Sequence, residues 1–379
     1  MYRKIKRVVA ALAAAALCAG LLTACIGGKE EAGFQTGSEA APAGGSGSPA
    51  IPGEESGTQV LSIEQAGFSM AIPEEWVDNP YFTAATVSKR ASEREVGVAV
   101  SEDYVIDYKP DATLSDIVAY YCDSILAKNA EAEPVYGIDE EITVGGAAGI
   151  PAAARTARVT SEGSDLLYEV VAARDEAWFF VICFLGHPEA YAEDKALYDE
   201  MLATVAIEDV GLPAASAGGG ADVAMQTVSA DDSKLTIDIP ADWEETDATE
   251  KSYELNYKAP GGRAQLFFLE MPASDFEEVD TLEEFTPFAL ETWRELYTPE
   301  NGYNAVTFGE PEPMTLGDGT KAMHCTVTYW YDSIDMREAH ILFVTNTRYY
   351  SQVYLQSKPS AFALQGDLYD SILASVHYE

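Results

Sequence analysis

Phe68-Ser-Met-Ala-Ile72-Pro73-Glu-Glu-Trp76 recurs as Leu235-Thr-Ile-Asp-Ile239-Pro240-Ala-Asp-Trp243, an offset of 167 residues. Thr113-Leu114-Ser-Asp116-Ile117 recurs as Thr281-Leu282-Glu-Glu284-Phe285, an offset of 168. Tyr198-Asp-Glu-Met201-Leu202-Ala203-Thr204-Val205 recurs as Tyr369-Asp-Ser-Ile372-Leu373-Ala374-Ser375-Val376, an offset of 171. Three anchors in the same order, drifting by only a few positions, mark one unit written twice. The 379-residue chain therefore reads as two tandem domains, residues 59–208 and 223–379, each of ordinary domain size. A Gly/Ala linker over 209–222 joins them.

Each copy opens with an alternating strand, Phe68–Ile72 or Leu235–Ile239, that stops at proline, which cannot continue a central strand. The Pro-x-x-Trp that follows predicts a turn whose indole folds back onto the sheet. Further strands are expected at Glu95–Val100 and Ala264–Glu270. Thr113 with Asp116, and Thr281 with Glu284, have the spacing of a capping box and start a helix. Pro287 in the second helix predicts a late start or a kink. Val144-Gly145-Gly146 and Leu316-Gly317-Asp318-Gly319 predict turns into hairpins. Long strands follow at 152–160, 166–172 and 178–185, and at 322–331, 337–345 and 348–355. An amphipathic helix and a short strand close each copy. Hairpin-linked strands with two helices per copy give an α+β class: two tandem repeats, each a largely antiparallel β-sheet packed with helices.

The order of strand, Ile-Pro-x-x-Trp, strands, helix, Gly-turned meander and final amphipathic helix resembles the PsbP-like fold, an α/β/α sandwich. The matching positions are Ile72, Pro73, Trp76, Ile239, Pro240 and Trp243, and they read as structural. The resemblance implies a binding or assembly role rather than catalysis, and it carries over no active site.

Arg3, Lys4, Lys6 and Arg7 precede an apolar run from Val8 to Leu22, the layout of a secretory signal. The run is short of the ~20 residues that span a bilayer. It ends in Leu22-Thr23-Ala24-Cys25, which resembles the lipobox of bacterial lipoproteins. That resemblance implies cleavage after residue 24 and a diacylglyceryl group on Cys25. Acyl chains contribute about 0.8 kcal/mol per buried methylene, so two or three hold a protein to a membrane without a spanning helix. Residues 26–58 are rich in Gly, Ala, Ser, Pro and Glu and contain a single aromatic, Phe34. They read as a flexible tether with a root-mean-square span of roughly 30 Å.

Asp and Glu number 63 against 23 Lys and Arg, for a formal net charge of -40. No basic cluster lies outside the N-terminus, so no nucleic acid is expected as a partner. Hydrophobic residues at 47% suffice for packed cores. No Gly-x-Ser-x-Gly elbow, phosphate loop or dinucleotide fingerprint appears. The acidic runs, densest over Asp275–Glu284, lack the ligand spacing of a calcium loop and read as a solvated face.

Three side-chain groups remain as candidates. Tyr329, Tyr331, Tyr349 and Tyr350 gather on neighbouring strands and are the candidate binding surface for a glycan or protein. Burial under a helix is the competing reading. Cys122 and Cys183 either pair in an oxidising compartment or stay as buried thiols. Cys183's counterpart in the second copy falls near Asn346 and Thr347. His324 and His340 lie on adjacent strands and could meet, so a two-His metal site and a Cys-His nucleophile with Cys325 are the sharper alternatives, but Cys325 must face away from His324 and cannot pair with it directly. No metal site, no catalytic residue and no cofactor is expected. The chain is expected to be a monomeric lipoprotein anchored through Cys25 on the extracellular face of a bacterial membrane. Its expected role is non-catalytic binding or assembly with an envelope protein or glycan. The alternatives are a solute- or cation-binding lipoprotein, or an extracellular hydrolase.

Overall fold

Leu61, Ile63, Phe68, Met70 and Ile72 alternate with more exposed neighbours and point to one side. This period of two builds a hairpin, β1 (Thr58–Ile63) and β2 (Phe68–Pro73), paired antiparallel from Thr58–Pro73 to Ile63–Phe68. Gly67 sits just before β2 at φ +68°, and a Cβ there would stand 2.2 Å from the carbonyl oxygen of Glu208. Glycine is thus required by both conformation and space.

The computed structural model describes residues 57–79, 85–91, 96–123, 133–161, 164–213, 223–229, 235–246, 255–260, 264–276, 279–331 and 334–378. The leader, Cys25, tether residues 26–56 and linker residues 214–222 lie outside them.

In the first half the chain continues through β3 (Val77–Asp78), β4 (Val87–Arg90), β5 (Val96–Tyr104), helix α1 (Leu114–Tyr121), β6 (Val135–Tyr136), β7 (Glu140–Val144), β8 (Ile150–Ser161), β9 (Ser164–Arg174), β10 (Trp178–Gly186), α2 (Pro188–Ala203) and β11 (Ala206–Ile207). β11 returns to pair with β2, closing a three-stranded sheet β1-β2-β11. The main sheet runs β3-β4-β5-β10-β9-β8-β6, with β7 also on β8.

The second half repeats this element by element: β12 (Met225–Ser229), β13 (Leu235–Pro240), β14 (Glu244–Glu245), β15 (Leu255–Lys258), β16 (Ala264–Pro272), α3 (Leu282–Leu296), β17 (Tyr303–Phe308), β18 (Glu312–Thr315), β19 (Lys321–Tyr331), β20 (Met336–Thr345), β21 (Tyr349–Ser357), α4 (Pro359–Ala374) and β22 (His377–Tyr378). Its sheets are β12-β13-β22 and β14-β15-β16-β21-β20-β19-β17, with β18 on β19. The strand pairings within these sheets are antiparallel. The class is α+β, in two similar sheet-rich halves.

Each main sheet is covered on both faces. In the first half, α1 puts Ile117 and Val118 on a face with Val170, Phe179 and Val181. The opposite face carries Phe180, Ile182 and Phe184, packed against the small sheet and the α2 residues Tyr198, Met201 and Leu202. In the second half α3 covers Phe267, Ile341 and Phe343, while α4 and the small sheet cover Leu266, Leu342 and Val353. Double cover explains why Trp178-Phe-Phe-Val-Ile-Cys-Phe184 is buried without alternation.

The Pro-x-x-Trp turns form as expected, with Trp76 N–H donating to the Pro73 carbonyl at 3.2 Å and Trp243 N–H to Pro240 at 3.1 Å. Both indoles are buried. The capping box is complete at Thr113, where Oγ1 accepts from Asp116 N–H and Asp116 accepts from Thr113 N–H. At Thr281 it is half made: Oγ1 accepts from Glu284 N–H, but the Glu284 carboxylate accepts from Asp280 N–H instead. Pro287 neither delays nor ends α3, which begins at Leu282 and runs through it. Its missing N–H falls within the first two turns, and the aromatic face of the helix holds it to the sheet.

Gly67→Ala is expected to lower stability by about 2 kcal/mol or more, read from urea unfolding. Gly149→Ala, which shares the positive φ but meets nothing within 4 Å, should cost less.

Candidate functional site

The predicted tyrosine surface is mostly core. Tyr329 is 4% exposed and lies edge-on to Tyr297 and Tyr303, with its hydroxyl donating to Gln356 Oε1 at 2.9 Å. Tyr350 is 3% exposed, stacks on Phe285 at 4.3 Å between centroids, and donates to the Val279 carbonyl at 2.7 Å. Tyr349 is half-buried at the start of β21. Tyr331 is the last residue of β19, and its side chain lies outside the described residues. The reason is α3, which covers this face of the sheet, so Tyr329 and Tyr350 offer no platform to a partner.

Cys122, Cys183 and Cys325 are free and buried. No disulfide joins Cys122 to Cys183. Burial pushes the Cys122 thiol up to about 11, which keeps it a thiol and a poor nucleophile at neutral pH. The register corrects the expected equivalence. Cys183 pairs with Ala99, and Tyr354 pairs with Phe267, the residue corresponding to Ala99. Tyr354 is therefore the counterpart of Cys183, rather than Asn346 or Thr347. Its hydroxyl meets that of Tyr297, and its ring stacks on Trp293.

His324 and His340 do meet. They point to the α4 side of the sheet, while Cys325 points into the core under α3. His324 Nε2 and His340 Nδ1 are 3.0 Å apart. His340 Nε2 donates to Glu338 Oε1 at 2.9 Å, and its ring stacks on Phe362 of α4 at 4.3 Å with a 10° interplanar angle. The Glu338 contact places a proton on Nε2, so neutral His340 presents a lone pair at Nδ1 and His324 donates to it. Burial, then the neighbouring His340, lowers His324 to about 4. The corresponding place in the first half holds Glu169, bonded to Tyr191 and ion-paired to Lys195. Sequence reading anticipated the meeting of the two imidazoles but not the role of Glu338. Its spacing, two residues before His340 on one strand face, was the available signal.

A second cluster was not anticipated, because it joins residues more than 200 positions apart. The turn after β5 carries Asp107, 1% exposed, across to the start of α4. Its Oδ1 accepts from Ser360 N–H at 2.9 Å and its Oδ2 from Ser360 Oγ at 2.7 Å. The α4 cap residue, Lys358, makes no side-chain cap of its own. The first half therefore caps a helix of the second, with a carboxylate at the positive end of the helix dipole. Lys358 Nζ donates to Asp103 Oδ2 at 2.8 Å and lies 5.7 Å over the Tyr108 ring. Burial pulls Lys358 down, but the Asp103 and Asp107 carboxylates outweigh it and leave the ammonium above its ordinary value. Tyr108 donates to the same Asp103 oxygen at 2.8 Å. Tyr120 donates to Asp335 Oδ2 at 2.7 Å, and Lys109 N–H to the Ile334 carbonyl at 2.8 Å. Ile334 packs among the apolar residues under α1. These contacts dock the halves to each other.

Among the described residues, no group of three or more His, Cys, Asp or Glu side chains forms a ready metal cage, and no helix is long and apolar enough to cross a membrane.

No family model and no curated protein matches the chain. Among solved structures it is similar to the cyanobacterial PsbP, CyanoP, from Synechocystis sp. PCC 6803, at 15% identity and a TM-score of 0.35, over 43% of this chain and 98% of that one. It is similar to PA94 from Pseudomonas aeruginosa, described as a putative regulator of unknown function, at 16% identity and a TM-score of 0.26, over 40% and 98%. It is also similar to TplEi, an immunity protein of the P. aeruginosa T6SS, at 11% identity and a TM-score of 0.23, over 86% and 98%. At these scores none of the likenesses assigns a function; the strand order above defines the fold.

Asp107→Ala is expected to cost about 2–4 kcal/mol, since it strips the cap from α4 and leaves Ser360 and Lys358 short of a buried partner. Urea unfolding measures the loss, and hydrogen exchange should quicken first at the Ser360 amide. His324, lowered in the folded state, contributes stability that is complete above the ordinary histidine range near 6.5 and is lost as pH falls toward about 4. With chelator present, His324→Gln should lose less stability than the parent chain between those pH values, as followed by thermal melting.

Proposed function

We propose that the chain is an extracytoplasmic lipoprotein, anchored to a bacterial membrane through Cys25, whose two halves form one rigid, non-catalytic binding or assembly body. Anchoring is supported by the sequence Leu22-Thr23-Ala24-Cys25 at the end of a basic and then apolar leader. The rigid body is supported by the seam at Asp103, Asp107, Lys358 and Ser360, which ties the halves by buried Asp107–Ser360 hydrogen bonds and a part-buried Lys358–Asp103 ion pair. A PsbP-like assignment for each half rests on the Ile-Pro-x-x-Trp turn and on the helices lying on opposite faces of the sheet.

The observation that carries this reading is the Cys25 lipobox pattern followed by 33 residues of tether composition. Such a segment places a docked pair of domains within reach of envelope partners while the acyl chains stay in the bilayer. The partner expected is an envelope protein or glycan, met outside the cytoplasm.

In a native host, labelled palmitate should enter the parent chain and not Cys25→Ala, and the variant should leave the membrane fraction or accumulate uncleaved. Equal labelling of both would overturn the anchor. Crosslinking the intact chain in its membrane should recover one reproducible envelope partner. If turnover of a substrate appears in place of a partner, the non-catalytic reading fails.

A further inference from the structure

We propose that His324 and His340 form a binding site for a borderline transition-metal dication such as Zn2+. The two ring nitrogens that face each other, His324 Nε2 and His340 Nδ1, are 3.0 Å apart. Two imidazole nitrogens on one tetrahedral zinc, at about 2.0–2.1 Å each, stand roughly 3.3 Å apart. A movement of a few tenths of an ångström therefore replaces the shared proton with a metal ion.

The supporting shell is already built. A metal-bound imidazole characteristically donates its other N–H to a carboxylate, which fixes the tautomer and raises ligand basicity. His340 does this to Glu338 at 2.9 Å. Its Nδ1 lone pair thus needs no tautomer change. The face-to-face contact with Phe362 holds the ring in that orientation. His324 stands with its ring centroid 4.9 Å from that of His340. On binding, the proton of His324 Nε2 moves to Nδ1, so no net charge is lost from the pair. Water supplies the remaining positions.

The ligand set also selects among cations. Two imidazoles suit Zn2+, Cu2+ and Ni2+, whereas Ca2+ and Mg2+ prefer oxygen cages. The first half lacks the pair, since Ala154 and Glu169 stand at the positions of His324 and His340 in the equivalent registers. One site per chain follows.

The test uses the full chain carrying Cys25→Ala, purified in detergent and freed of metal with EDTA. It is titrated with ZnCl2 at neutral pH in about 5 mM CaCl2, which occupies the acidic surface. We expect one equivalent of Zn2+ to bind. His324→Gln and His340→Gln should each weaken binding at least about tenfold, and Glu338→Gln by about tenfold. Of the four histidines, the imidazole proton resonances of two should shift at one equivalent. The resonance readout needs no variant, so it stands if a histidine substitution fails to fold. Zinc that binds parent and variants alike, or imidazole signals unmoved at about 1 mM Zn2+, would overturn the proposal.

Discussion

Each half depends on one central strand, β10 or β21, that is buried on both faces. A strand so placed must have its backbone paired on both edges and its side chains covered from above and below. That constraint recruits the other elements. β5 and β9, or β16 and β20, flank it; α1 or α3 covers one face; the final helix and the three-stranded sheet cover the other. Fully burying each large side chain there contributes about 1.5–3 kcal/mol, far more than a surface ion pair of about 0–1 kcal/mol. The fold rests on these doubly covered sheets rather than on surface ion pairs.

The two halves share this frame but have diverged where they touch. Asp103, Asp107, Lys358 and Ser360 meet across the seam. Their counterparts by register are Met271, Asp275, His187 and Glu189, which cannot rebuild it: Met271 carries no charge, Asp275 is exposed, and Glu189 would set a like charge against it. The interaction therefore joins first half to second half in one direction only. The polar contacts beneath the final helix differ too: Glu169 bonds Tyr191 and Lys195 in the first half, and His340, at the position of Glu169, bonds Glu338 and His324 in the second.

Much of the fold was legible in the sequence because period and punctuation are local. Alternation at Phe68–Ile72, the Pro-x-x-Trp turns, the Thr113 cap and the Gly145–Gly146 turn each depend on neighbours within a few residues, and each is found where expected. The tyrosines were harder. Tyr329 and Tyr350 read equally well as surface or core, since alternation tells which residues share a face but not what lies against it. The position of α3 settled that. The counterpart of Cys183 was misplaced for a related reason: drift between the copies hides strand register, and a slip of a few positions changes every cross-strand partner.

The sequence by itself determined the duplication, the α+β class, the strand and helix order, and the separation of His324 from Cys325 onto opposite strand faces. Periodicity, caps and turn residues act over short stretches of chain, so their record is complete in one dimension. Only the tertiary structure decided that a carboxylate of the first half caps a helix of the second, that Glu338 orients His340 toward His324, and that the aromatic cluster is interior. The cap and the aromatic cluster depend on groups brought together by sheet register and helix docking, over separations of up to 253 residues, and the aim of His340 at His324 depends on strand register, although Glu338 lies only two residues from His340.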